Sequence, residues 1–375
     1  MTDPLSEAVG VQVGDGHATI PVRNLWLLYL FASDLYESLH VEERIRAETN
    51  PEQLPELAAL ILCREGQRRL RRNLSVGYVG RHELVSAVRD RIDHLGTTRG
   101  GHLHRGKVLC NFTELTVDTP RNRYVAAALA LAGRWLPSAQ GGMDVGRECL
   151  KVSAQFERAG VVVGRPDPAT PRRETFGHYD RDDRRLLLAA QLVVDALIPS
   201  QASGTARVLA LDYSDRVLRD LFEKAVRNLL RVHLPSWRPR VARMTWPSDG
   251  VLDPLFPGMK TDVTLDRPDG SRLIVDTKFT SALDAPSSHY GQRLKSGHLY
   301  QLYAYLRTQE DRGDLSAERA AGLLVYPSTH GAPAVDVSER MHGHVLRCAT
   351  VDLAGEPQAI RTRILELVSA QVNDG

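Results

Sequence analysis

The sequence predicts an α/β protein of two domains, and three observations carry that prediction. At 375 residues, with 42% hydrophobic and 25% charged residues, the chain can bury two cores. Apolar residues recur at helical period over Ser214–His233, at Val217, Leu218, Leu221, Phe222, Ala225, Val226, Leu229 and Leu230. By contrast, Thr261–Leu265 and Arg272–Phe279 are short runs rich in β-branched and apolar residues around the turn formers DRPDG, the pattern of a β-hairpin.

In chain order, residues 1–19 read as a flexible leader. Ile20–Leu39 is strongly apolar and opens the first folded domain, Pro55–Leu74 is helical, and Leu74–Val79 is β-like. Val108–Ala132 reads as a strand followed by a helix, with Asp118 or Thr119 as the N-cap and Pro120 suited to the first turn. Leu186–Leu197 is another apolar helical run. After it, PSQASGTAR (Pro199–Arg207) has a linker composition, so the first domain is expected over 20–199 and the second over 207–375.

Composition narrows the class of function. No apolar run approaches the roughly 20 residues that span a bilayer. The first residues lack the basic and apolar regions of a secretion signal. Cys63, Cys110, Cys149 and Cys348 are too far apart for a CxxC knuckle, so a reducing cytoplasm is the expected compartment. A net charge of +2 does not demand nucleic acid, yet between Ile61 and Lys107 eleven Arg or Lys stand against four Asp or Glu. The stretch 64–72, with Arg68, Arg69, Arg71 and Arg72, is a candidate contact for phosphates or an acidic protein surface. GHLHRGKV (Gly101–Val108) misses the P-loop pattern because Val108 replaces the magnesium-binding hydroxyl. His102 with His104, and His342 with His344 and Cys348, lack a second compact ligand pair and read as scattered surface histidines rather than a zinc site.

The chemistry concentrates in the hairpin. Asp262 stands near the start of its first strand, and Asp276 and Lys278 stand two residues apart on the second, so their side chains point the same way. Two acids and a lysine are what a hard cation needs when it activates water against a phosphodiester. Read as an exposed ligand, Asp276 should be replaceable without loss of the fold.

Asp262, Asp276, Thr277 and Lys278 resemble the PD-(D/E)xK nuclease superfamily, with Thr261 where that pattern often has Pro. LYQLYAYL (Leu299–Leu306) resembles the Q-xxx-Y helix of its RecB-like branch, matched by Gln301 and Tyr305, which share a helix face and are expected to position a DNA phosphate or the attacking water. Glu223 falls where this superfamily sometimes supplies a further acidic ligand from its first helix. VLCNFTELTVDTPRNRYVAAALALA (Val108–Ala132), the IPVRNLW opening and RIDH (Arg91–His94) are similar to the McrC-like subunits of 5-methylcytosine, or type IV, restriction systems. Asp90 stands where that similarity leads one to expect glycine. The resemblance implies a mixed α/β N-terminal domain that docks a partner, followed by a restriction-endonuclease-like domain. It implies one or two Mg²⁺ ions held by Asp262, Asp276, the Thr277 main-chain carbonyl and Glu223. It further implies double-stranded, methylated DNA as substrate, products with 5′-phosphate and 3′-hydroxyl ends, and an AAA+ GTPase of the McrB type as the partner that brings GTP. Alternatives are a stand-alone RecB-like repair nuclease and a DNA-binding scaffold subunit with a vestigial nuclease module.

Overall fold

The computed structural model describes residues 10–13, 18–50, 53–136, 144–177, 180–201, 215–248, 250–284, 291–310, 313–328 and 333–370. Its contacts divide the chain into two compact units, Met1–Leu54 with Ile198–Gly375, and Pro55–Leu197. The chain starts with an antiparallel pair, β1 (Gly10–Val13) and β2 (Ala18–Pro21), so the expected flexible leader is strand-paired in part. Helix α1 (Val22–Ala32) follows, then α2 (Val41–Thr49).

In the 55–197 unit, α3 (Leu54–Arg71) precedes a three-stranded antiparallel sheet of order β3-β5-β4, formed by β3 (Gly77–Val85), β4 (Arg91–Ile92) and β5 (Val108–Thr116). The first strand therefore begins at Gly77, not at Leu74, and runs to Val85. Helices α4 (Pro120–Trp135), α5 (Val145–Arg158) and α6 (Arg181–Gln201) complete the unit. Thr119 is the cap of α4, accepting from the Asn122 N–H at 3.2 Å. Asp118 instead pairs with Arg123 and accepts the Val162 N–H at 2.9 Å. Asp90 adopts φ 52°, the left-handed turn that suits glycine, which Asp tolerates better than most side chains. Helix α6 runs through Pro199, so the first three residues of the expected linker are helical; the rest lie outside the described residues.

The arginine-rich stretch is ion-paired in part. Arg69 reaches Asp183 at 2.7 Å, Arg72 reaches Asp182 at 2.7 Å, and Arg68 lies 3.6 Å from Asp182. Asp182 and Asp183 open α6, and they pair with three of the arginines offered above as a contact for phosphates or an acidic protein surface.

The other unit is built on a five-stranded mixed sheet that follows α7 (Asp215–His233) and a short pair, β6 (Arg243–Met244) with β7 (Met259–Lys260). Strands β8 (Val263–Asp266) and β9 (Arg272–Thr277) form the expected antiparallel hairpin, in register Val263 to Val275. Its turn closes through Arg267 and Ser271, with Gly270 at φ 84°, a conformation that favours glycine. After α8 (Ser296–Arg307) come β10 (Ala321–Ser328), β11 (Asp336–Met341), β12 (His344–Asp352) and α9 (Pro357–Ala370), giving the strand order β11-β12-β10-β9-β8. β9, β10 and β12 are parallel neighbours, and the near-continuous apolar runs of β9 and β10 fit strands buried on both faces. Helix α8 covers the face presenting Ile274, Leu324 and Tyr326, seating Leu302, Tyr305 and Leu306 there. Gly322 permits this close seat, because a Cβ there would lie 2.8 Å from Leu302.

Residues 20–54 belong with this unit and not with the 55–197 unit that sequence reading assigned them to. Helix α1 is apolar nearly all round and buries Leu25, Leu28 and Phe31, and its packing partner is α7. Asn24 donates to the carbonyls of Leu353 (2.7 Å) and Gly355 (2.9 Å), and Asn228 donates to that of Ala32 (3.2 Å).

Candidate active site

The hairpin, the turn before it and α8 bring six of the expected residues, Asp262, Asp276, Thr277, Lys278, Gln301 and Tyr305, into one connected set. Asp276 projects from β9, in the middle of the sheet, and is only 1% exposed. This corrects the expectation of an exposed acid, for β9 has a paired strand on either side and α8 over the Asp276 face. Lys278, just past the strand end, is fixed by its N–H to the Val325 carbonyl (2.9 Å), and its Nζ lies 2.7 Å from Asp276 Oδ2. Asp276 Oδ2 is fully buried and ion-paired with that ammonium. Lys278 Nζ also donates to Gln301 Oε1 at 2.7 Å.

Gln301 and Tyr305 do share a face of α8, as their spacing of four predicts. Gln301 Nε2 donates to the Tyr305 hydroxyl at 2.7 Å, and that hydroxyl donates to the Lys260 carbonyl at 2.9 Å. The pair forms a strut from the β7 backbone to the lysine. In this arrangement its polar groups hold Lys278, where the sequence reading had them hold a phosphate or water.

Asp262 lies in the turn between β7 and β8. Its Oδ2 accepts both the Thr277 N–H (2.7 Å) and the Thr277 hydroxyl (2.8 Å), which ties the turn to the end of β9. Glu223 on α7 is ion-paired with Arg227 at 2.7 Å, and Arg227 Nη1 also reaches the Asp262 carbonyl at 3.4 Å. Arg227 was not singled out in the sequence, although its position one turn after Glu223 is a readable signal.

Burial dominates the electrostatics. It pushes the Asp262 carboxyl above its ordinary range, with the Thr277 donors opposing and the Glu223 charge adding to the rise. Burial, followed by the Asp262 charge, raises Asp276 to about 6 against the pull of Lys278, and Glu223 again adds. Asp262 and Asp276 thus feel one another, and a cation placed beside them relieves both.

Among the described residues no three His, Cys, Asp or Glu side chains converge as an all-protein metal cage. A magnesium ion does not need one, since it is commonly held by one or two carboxylates together with waters and substrate phosphate. The donor set here is all oxygen, from the carboxylates of Asp262 and Asp276, and Asp276 Oδ2 is ion-paired with Lys278. One of the histidines read as a surface residue settles differently from expectation. His344 is fully buried, with Nδ1 against the Ala320 carbonyl at 2.7 Å and Nε2 on Glu310, so it is a core residue and not a surface one. His298, one turn before Gln301, packs its Nδ1 3.0 Å from the Tyr326 hydroxyl, and burial and the Lys278 charge lower its pKa.

These features define a mixed α/β protein in which an inner strand of the sheet, β9, sets a buried carboxylate beside a lysine just past the strand end and a second carboxylate in the turn before β8. Residues 12–327, most of the chain, match the family model described as McrBC 5-methylcytosine restriction system component. The chain belongs to that family, and it resembles the McrC-like subunits as the sequence led us to expect. It is 25% identical over 360 residues to the type IV methyl-directed restriction enzyme EcoKMcrBC of Escherichia coli (strain K12), covering 93% of this chain and 97% of that protein. Two solved structures are also similar. One is a refined half-complex from a tetradecameric assembly of Thermococcus gammatolerans McrB AAA+ hexamers with bound McrC (15% identity, TM-score 0.40, covering 93% of this chain and 79% of that one). The other is the cryo-EM structure of the Thermococcus gammatolerans McrBC complex (16% identity, TM-score 0.31, covering 51% and 64%).

Proposed function

We propose that this chain is the DNA-cleaving subunit of its restriction system, a Mg²⁺-dependent endodeoxyribonuclease of PD-(D/E)xK type that acts on double-stranded, methylated DNA. The observation that carries the reading is the joining of Asp262, Asp276 and Lys278, with the lysine ammonium 2.7 Å from the buried Asp276 carboxylate and Asp262 tied to the end of the same strand. Asp262 and Asp276 would hold one or two ions, with the Thr277 carbonyl as a further oxygen ligand, while Glu223, expected from the sequence as a ligand, is taken up by its ion pair with Arg227. Lewis-acid polarisation of the scissile phosphate and of the attacking water is the chemistry such an ion supplies when bound.

The remaining work falls to the protein. The Thr277 donors fix Asp262, so its second oxygen keeps one direction. Lys278 orients the water and offsets charge developing on the phosphate. Gln301 and Tyr305 act through Lys278 as positioning residues, because their strut leaves the ammonium few alternative places. Products with 5′-phosphate and 3′-hydroxyl ends follow from attack on phosphorus with departure of the 3′-oxygen.

The resemblance to McrC-like subunits supports an AAA+ GTPase of the McrB type as partner, with GTP hydrolysed by that partner and stimulated by this chain. Plasmid cleavage with Mg²⁺, assayed with and without GTP and the AAA+ protein encoded beside it, tests the whole reading. Cutting of methylated plasmid that needs both is the expected result. Cutting without the partner would turn the chain into a stand-alone nuclease, and no cutting under any condition would leave a binding or scaffold role.

A further inference from the structure

A second cationic feature lies on the same helix as Glu223, in the unit that holds the acidic set. A cleft of ≈ 560 Å³ is lined by Glu37, Arg44, Arg231, Pro235, Arg238 and Pro239, and it includes none of Asp262, Asp276 or Lys278. Three arginines face one glutamate, so the cleft carries an excess of positive charge. Its one ion pair is loose: Arg231 and Glu37 meet only at 3.5 Å, each a little over 40% exposed.

Two of the three arginines are held in unusual ways. The Arg44 guanidinium lies 5.2 Å over the Tyr36 ring and donates to the Leu39 carbonyl at 3.2 Å, while its Nε is buried without a partner among the described residues. Tyr36 is anchored in turn by hydrogen bonds to Glu48 and His233. Arg238 ends the short 3₁₀ turn Pro235–Trp237 at φ 50°, ψ 55°, a left-handed conformation that glycine adopts far more easily. A strained arginine at a cleft mouth suggests that the side chain is kept for what it binds.

Helix α7 sets the direction. Glu223, Arg227 and Arg231 are spaced four apart and share one face, running from the acidic set, which Arg227 touches through the Asp262 carbonyl, to the cleft. Eight residues at about 1.5 Å each separate the two ends by roughly 12 Å. At about 3.4 Å of rise per base pair along the duplex axis, that is three to four base steps for a duplex lying along α7.

We propose that the Arg44–Arg231–Arg238 cleft binds the phosphodiester backbone of DNA, three to four base steps from the bond presented to the acidic set. This deepens the nuclease reading and rests on it for the choice of DNA as the polymer. Contacts of this kind position the duplex and carry no sequence information, so their signature is salt dependence.

The test uses the full chain in an Asp276→Asn background, so that cleavage does not intrude, and a short fluorescein-labelled duplex titrated at several KCl concentrations. Arg231→Ala with Arg238→Gly should weaken binding about tenfold and flatten the salt slope by about two. Relief of the left-handed arginine should leave Tm unchanged or higher. Arg231→Lys with Arg238→Lys keeps both charges and should keep most of the slope. Unchanged affinity and slope in the Ala/Gly variant would overturn the proposal. Unchanged DNA binding with lost assembly onto the AAA+ protein would also overturn it and assign the cleft to a protein surface. Asp276-dependent cutting with normal binding by the Ala/Gly variant removes the cleft alone. Arginine-dependent binding by a wild-type chain that never cuts removes the nuclease reading alone.

Discussion

At the scale of single residues, the cost of the site is concentrated on Asp276. Its carboxyl is raised from 3.8 to about 6, so the folded state binds its proton more tightly than the unfolded chain does. Stability of the metal-free protein therefore falls as pH rises from about 4 through about 6, and the full cost is present above that. Asp276→Asn removes a buried charge without changing shape. In EDTA at pH 8 it should stabilise the fold by about 1–3 kcal/mol in urea titrations while abolishing cleavage, and a destabilised variant would mean that the carboxylate is a structural partner. Divalent-cation affinity, followed by calorimetry, should weaken as pH drops through about 6, since protons compete for the same oxygen.

Gln301→Ala frees the Lys278 ammonium but touches no acid. Its expected effect is a loss of kcat of about tenfold, with metal and DNA affinity unchanged, restored in part by Gln301→Glu. Normal turnover would return that strut to a purely structural role. The residue identities at the centre were legible from sequence because Asp262, Asp276 and Lys278 sit on a hairpin whose turn chemistry and alternation are local. Their burial was not, because it depends on β10 and α8, which arrive later in the chain. Nor was the Arg227 contact with Asp262, which requires α7 to pack beside the hairpin.

At the scale of elements, α8 is placed by the absence of a side chain on β10. Gly322→Val should push Leu302 and the helix outward, costing about 1–3 kcal/mol and reducing cleavage more than a comparable substitution in α5. Equal loss of stability with full activity would separate the seat of α8 from the geometry of Lys278. Helices were readable in position because their periodicities are strong, as for α7 and α8, while ends were less so. β3 starts three residues later than its apolar run, because Ser75 and Val76 lead into the strand without pairing. The 64–72 arginines show a limit of another kind: their acids lie on α6, more than a hundred residues away.

At the scale of the whole molecule, the division of the chain is discontinuous. Residues 20–54 bury α1 against α7, and Glu48 pairs with Arg361 of α9, so the unit holding the acidic set needs its N-terminal piece. A fragment of residues 198–375 alone should aggregate or melt without cooperativity, and co-expression with residues 1–54 should restore a cooperative transition by circular dichroism. A stable, cooperative 198–375 fragment would contradict this account of the core. The linker composition at 199–207 pointed to the region where one unit ends, yet no local signal could reveal that the first helix returns to the second half, since an apolar helix does not specify its partner.

The central claim is that Asp276 is a catalytic metal ligand on this chain. Single-turnover cleavage of methylated plasmid, with Mg²⁺, GTP and the AAA+ protein supplied to wild type and to Asp276→Asn, tests it most directly. The account predicts cleavage by wild type and none by the variant, with the variant still folded and still assembled with its partner. Cleavage by a folded, assembled Asp276→Asn protein at the wild-type rate would contradict it.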